Sequence, residues 1–263
     1  QASNFKTGNG NIKISQFDRV NFQVSESIVT SGEGSLGIEG ILTGKSSFLA
    51  ANGGSIYKIS ASGDITLSGG TGTAPALSPG GVFNLSGTNI SIASSIAAPG
   101  GSVSVQSLGD LSISGPINVS GGAKKFNDTS VSYSGGTIRL ISGGNLEFSG
   151  ALDVSSGSGV ASAGSILFSA PTGNTLISGS LLGIAPDSIS GGVFTLESNT
   201  ITGKTLDNLN NLLNTGGFSK ARTFRASTGD LLFSGVAKSH GFSMFSDSGA
   251  IGISGTIDAS GST

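Results

Sequence analysis

The sequence of 263 residues contains no cysteine and no tryptophan, and only one histidine. Without cysteine there is no disulfide framework, thiolate metal site or cysteine nucleophile. Any catalytic triad or histidine metal site would have to be built on His240, which lies in "KSHGFS", a stretch that reads as a surface turn. Charge is also scarce. At 11% charged residues and a net charge of −2, the chain has no field to draw nucleic acid or an anionic bilayer, so neither is expected as a partner. The one dense basic cluster, Lys220, Arg222 and Arg225, reads as a solvated edge. No apolar run approaches the roughly 18 residues of a membrane span, so no membrane insertion is expected.

What the chain has in quantity is glycine, 45 residues of it, interleaved with short alternating runs of Ile, Leu, Val and Phe. Those runs separate it from a disordered Gly/Ser-rich chain. One phrase recurs through them: "SGDITLSG", "LGDLSISG", "GGNLEFSG", "TGNTLISG", "TGDLLFSG" and "SGAIGISG". Taking the residue after the glycine as a marker gives Asp64, Asp110, Asn145, Asn174, Asp230 and Ala250, and weaker copies supply Asn89 and Thr200. Successive markers are 25, 21, 35, 29, 26, 30 and 20 residues apart, a minimum period near 20 with variable additions. That spacing is the signature of a solenoid with loops of unequal length.

Apolar residues occupy the first and third positions after six of the eight markers, as in Ile65 and Leu67, Leu111 and Ile113, or Leu231 and Phe233. Alternation over so few residues predicts a short β-strand with one buried face. A second strand precedes each marker, opened by glycine ("GGSIYKIS", "GGTIRLIS", "GGVFTLES"), and a weaker third follows it ("GPINVSG", "GALDVSSG"). Three short strands per unit predict an all-β fold, a right-handed parallel β-helix whose coils stack about 4.8 Å apart. A sandwich or up-and-down barrel is the competing all-β architecture, but neither explains a recurring phrase.

The ladder Asp64, Asn89, Asp110, Asn145, Asn174 and Asp230 is then a structural turn ladder, its side chains bonding the backbone of their own turn or one another. Phe148, Phe168, Phe194, Phe233 and Phe245 are expected in internal aromatic files. Residues 1–50 lack the phrase and read as irregular first coils or an N-terminal cap, and 51–263 as regular coils. "TLDNLNNLLNTGG" breaks the pattern: Leu206, Leu209 and Leu213 share a helical face, so a short helix is expected at about 205–214, capped by Thr205, stopped by Gly216 and packed outside the stack.

Motifs for chemistry are weak by comparison. "GEGSLG", Gly32 to Gly37, matches a dinucleotide fingerprint, but strand-like residues follow it. "GKS" at Gly44 and "GKT" at Gly203 lack the earlier glycine of a phosphate loop, Glu39 and Ser198 standing in its place. Asp64 and Asp230 are six coil intervals apart, roughly 29 Å, too far for paired acid–base work. No catalytic, cofactor-binding or metal-binding residue is expected, and no cofactor.

Units such as "GGTIRLISGGNLEFSGALDVSSG" resemble the repeat region of filamentous-haemagglutinin-like large exoproteins of two-partner secretion, over about residues 50–263. "ITGKTLDNLNNLLNTGG…STGDLLFSG" is especially similar to those proteins. The resemblance implies a non-enzymatic, extracellular or cell-surface β-helix segment of a bacterial exoprotein that builds a rod, filament or sheath and supports attachment. A module binding a specific glycan or receptor is the alternative, and a polysaccharide-degrading β-helix a more distant one. The Asn-Pro-Asn-Gly type motif of that family's secretion domain is not in this sequence. Ile12 and Ile14 near one end, and Ile251, Ile253 and Ile257 near the other, are candidate contacts for end-to-end self-association or continuation in a longer rod.

Overall fold

The computed structural model describes residues 2–157, 161–187 and 189–260. The chain is a parallel β-solenoid of about ten turns, as the marker spacing predicts. Each turn contributes up to three short strands, and each position builds one wall.

The first wall is unbroken. Its ten strands run from Gly10–Ile14 through Glu33–Ile38, Ile56–Ala61, Val82–Gly87, Ser102–Ser107, Thr137–Ser142, Ser165–Ala170, Val193–Ser198 and Ala221–Ala226 to Gly241–Ser246. Parallel pairing in fixed register stacks like positions, so Leu36, Ile59, Leu85, Val105, Leu140, Phe168, Leu196, Phe224 and Met244 form one inward file. The second wall holds the strands that follow the marker, among them Ile65–Ser68, Ile90–Ile92, Leu111–Ile113 and Leu146–Phe148. Both apolar positions of each of these four strands are buried. The third wall holds Phe48–Ala51, Ser95–Ala97, Ile117–Asn118, Ala151–Asp153 and Ser180–Leu182.

Rings stack where the files are aromatic: Phe148 to Phe168 at 5.8 Å, Phe168 to Phe194 at 5.9 Å, Phe194 to Phe224 at 6.0 Å and Phe233 to Phe242 at 5.2 Å. Phe245 does not join them. It pairs with Arg225 on the outer face and is half exposed, while Phe242 and Met244 take the inward positions.

Residues ahead of 51 already belong to the stack. The 12-residue strand Arg19–Thr30 serves two walls at once, pairing with Ile41–Lys45 through its first half and with Phe48–Ala51 through its second. Two additions leave the walls. In one coil the stretch 69–81 carries no third strand, so Ser95–Ala97 pairs directly with Phe48–Ala51. Between Ser120 and Gly135 the chain folds into an antiparallel hairpin, Gly122–Phe126 against Thr129–Tyr133, that belongs to none of the walls.

Candidate functional site

The recurring phrase is a lock between coils. Asn89 donates its backbone N–H to Asp64 Oδ1 at 3.1 Å, Asp110 donates to Asn89 Oδ1 at 3.0 Å, Asn145 to Asp110 Oδ1 at 2.7 Å and Asn174 to Asn145 Oδ1 at 3.1 Å. In return the marker carbonyls of Asn89, Asp110, Asn145 and Asn174 accept N–H groups of the coil before. The bonding therefore runs up the stack and not within each turn, which corrects half of the expected turn chemistry. It also explains the glycine. A Cβ at Gly109 would overlap Asn89 Oδ1, and one at Gly144 would overlap Asp110 Oδ1, so in these two coils the side chain reaching from the coil before requires glycine, whereas Thr88 stands at the same position above Asp64. The described ladder pauses after Thr200, whose hydroxyl donates to Asn174 Oδ1 at 2.8 Å, and resumes with Ala250 N–H on Asp230 Oδ1 at 2.8 Å.

The pause coincides with the helix, which runs Gly203–Thr215. It does not pack outside the stack. It replaces the second and third strands of its coil, between Thr175–Ile177 and Leu231–Phe233 on one wall and Ser180–Leu182 and Val236–Lys238 on the other. One missing strand leaves a gap of about 9.6 Å, close to the ~10 Å diameter of a helix. Leu206, Leu209 and Leu213 fill the interior there. The cap is Thr202, whose hydroxyl accepts the Thr205 N–H at 3.3 Å, and not Thr205. Gly216 ends the helix, donating its N–H to the Leu212 carbonyl.

Side chains of this coil stand in for the absent strands. The Asn214 amide donates to the Val236 carbonyl at 2.8 Å and accepts from Lys238 N–H at 3.0 Å, the pairing that a neighbouring peptide would make. Asp207 Oδ1 accepts the N–H groups of Ser234 and Gly235 at 3.0 and 2.9 Å, and the Ser234 hydroxyl donates to Oδ2. Partial burial pushes the Asp207 carboxyl up, but the Ser234 and Gly235 donors outweigh it and hold it below its ordinary value of 3.8. The substitution is imperfect. Thr175, on the strand facing the helix, has the only buried side-chain polar atom among the described residues with no hydrogen-bond partner.

Arg222 is the feature that sequence reasoning missed. It is no solvated edge: it sits in an inward file between Phe194 and Phe242 and is 1% exposed. Its guanidinium donates to the carbonyls of Phe218, Asn210 and Lys238 and to Asn210 Oδ1 at 2.9 Å. Burial pulls it down to about 10, so it remains cationic at neutral pH on carbonyl and amide dipoles. Of the other two basic residues, Arg225 pairs with Asp247 at 3.0 Å on the surface, and Lys220 is exposed.

The remaining motifs fall in structural places. Gly32–Gly37 enters a strand of the first wall, and His240 lies exposed in the turn before Gly241. "GKT" opens the helix, but Thr202 already caps its terminus and Asp207 stands beside the adjoining groove of about 740 Å³. Among the described residues no group of three or more His, Cys, Asp or Glu is placed to hold a metal ion, and no helix is long and apolar enough to cross a membrane. At the ends of the described stack Ile12, Ile251, Ile253 and Ile257 are 54%, 47%, 51% and 40% exposed, although they continue buried inward files, while Ile14 is half-buried. No protein-family model, curated protein or solved structure matches this chain.

Proposed function

We propose that this chain is a non-enzymatic, extracellular structural and adhesive β-helix segment of a bacterial surface exoprotein. In this reading it forms part of a rod, filament or sheath that supports attachment. The observation that carries the proposal is the continuous first wall, ten parallel strands over an apolar inward file unbroken from Leu36 to Met244. A stack of that kind sets reach by adding coils and needs no pocket to work. The acids of the marker ladder are engaged in joining coils, which supports the structural assignment over a catalytic one.

Antibody against this chain is expected to label the outside of intact source cells, on extended material. Labelling only after permeabilisation overturns the proposal. Incubation with acidic and neutral polysaccharides is expected to leave their chain length unchanged. Depolymerisation lost on substitution of one acid would restore an enzymatic role.

A second reading, a module that recognises a glycan or receptor, is favoured by the hairpin Gly122–Tyr133. It stands apart from the walls and exposes Lys125 and Val131. Loss of cell attachment when residues 122–133 are replaced by a short glycine turn, with the stack intact, would favour it.

A further inference from the structure

We propose that the crevice between the helix and the strand Thr175–Ile177 is a binding site for a small, mostly apolar molecule that carries one hydroxyl group, of about the size of a phenol. Such a site belongs to the coil that has given up two strands, and it does not depend on the rod-building reading.

In the four coils before it, the second wall is sealed. Ile65, Ile90, Leu111 and Leu146 form one inward file and Leu67, Ile92, Ile113 and Phe148 the other, and all of them are buried. The next members of the two files are Thr175 and Ile177, and both are only half-buried. Solvent reaches the interior files at this step because the next layer is the rounded side of a helix, which does not lie flush along an extended strand. The mismatch leaves a crevice of about 210 Å³ walled by Ile177, Leu196, Leu209 and Leu212, with Leu176 at its lip, 58% exposed.

One wall of the crevice is polar where the file is otherwise apolar. Thr175 takes the position that Ile or Leu holds in the four preceding coils, and its hydroxyl oxygen is buried without a hydrogen-bond partner, a state that is costly to maintain. The Asn174 carbonyl and the Ser178 N–H bond back to the preceding coil, so the alternating peptide groups of Thr175 and Ile177 face the helix, where the Ser198 hydroxyl takes the Thr175 N–H at 3.0 Å. Thr205 and Asn208 border the crevice as well, but the Thr205 hydroxyl is engaged with that of Thr202 at 2.8 Å. Water alone is a poor filling: at roughly 30 Å³ each, about seven molecules would share these few polar groups, and each needs roughly two to four partners. An apolar cavity of about 150 Å³ holds one benzene ring, so this crevice admits a ring with one substituent. The ring packs on Leu196, Leu209 and Leu212 while its hydroxyl meets Thr175 Oγ1, which can donate or accept. Bound there, the molecule bridges strand and helix and stabilises the junction, since it binds only the folded coil.

Phenol and toluene are suitable probes, one ring with a hydroxyl and one without. Titrated into the intact chain, phenol is expected to shift the methyl resonances of Leu196, Leu209 and Leu212 saturably and to leave those of Leu85 and Val105 in place. Thr175→Val keeps the side-chain shape and removes the hydroxyl, so it is expected to weaken phenol about tenfold and toluene less than about twofold. Thr175→Leu makes the file apolar and extends into the crevice, and it is expected to abolish binding of both probes. Unchanged hydrogen exchange in Val82–Gly87 and Ser102–Ser107 checks that the stack of each variant is intact. Absence of a saturable phenol shift in the parent chain, the crevice then holding water only, overturns the site, as do shifts spread evenly over the molecule. Thr175→Val that weakens both probes equally, or neither, overturns the role of the hydroxyl and with it the class of ligand.

Discussion

The coils from residue 82 to 153 and the coil holding the helix make the same turn by different means. In the first group strand backbone does the joining, with the marker ladder as a fourth line of bonds. At the helix only the first wall crosses by strand pairing, Val193–Ser198 to Ala221–Ala226, while Asp207, Asn210, Arg222 and Asn214 carry the other two sides. A backbone ladder tolerates almost any outward side chain. The helical coil depends on particular ones. A stacked repeat protein is about as stable as the sum of its coils and their interfaces, so the helical coil should be where cooperativity breaks.

The largest expected effect spans both regions. Phe194 is fully buried and touches the rings of Phe168, Phe218 and Phe224. Phe194→Ala should cost about 3–5 kcal/mol by denaturant unfolding. A loss confined to the C-terminal coils in hydrogen exchange would show the helical coil parting first. A uniform loss would show one cooperative unit.

Next is Asn210→Leu. Asn210 is buried, and its carboxamide oxygen helps hold the buried guanidinium of Arg222, so the change should cost about 2–4 kcal/mol by leaving that charge under-satisfied. Amides of Ala221–Ala226 and Leu231–Phe233 should then exchange faster while those of Ser102–Ser107 stay protected. Equal acceleration in both regions would remove the distinction between them.

How much of this was legible in the sequence differs in the same way. The regular coils announce themselves because the phrase, the glycine and the alternation state one constraint three times. The helix was legible as amphipathic, but nothing local says that a coil has given up two strands; that follows only from counting strands across neighbours. Arg222 was misread for the same reason. "KARTFR" looks solvated by charge, yet Arg222 has the strand parity of Phe224, and parity decides which side chain enters the stack. Phe245 failed through ambiguity, since "GFSMF" offers apolar residues at both parities and only the pairing of Phe224 with Met244 selects one.

The ladder gives a smaller, sharper test. Asp64 and Asp110 alternate with the neutral Asn89, so no two carboxylates are stacked there. Asn89→Asp places three in a row, neighbours about 5 Å apart, and should cost about 1–3 kcal/mol at low salt. The loss should shrink with added salt, because screening removes the repulsion. A loss independent of salt would mean that Asn89 acts through the hydrogen bond from its amide to Asp64 and not through its neutrality.

The smallest expected effect isolates one charge in the helical coil. Asp207 is mostly exposed, so its contribution is screened and modest. Its folded-state pKa lies below 3.8, which fixes the sign: the contribution is present above pH 3.8 and disappears as pH falls through the lower folded value. Asp207→Asn keeps an oxygen for the Ser234 and Gly235 N–H groups and an amide for the Ser234 hydroxyl, and removes only the charge. The variant should melt about 1–2 °C below the parent chain at pH 7 in low salt. The gap should close as pH falls through and below 3.8, since the parent then loses the same charge. A gap that persists in acid would assign the role of Asp207 to packing and hydrogen-bond geometry. A gap that closes would show the helical coil using an ionised side chain for a junction that the regular coils make with neutral peptide groups.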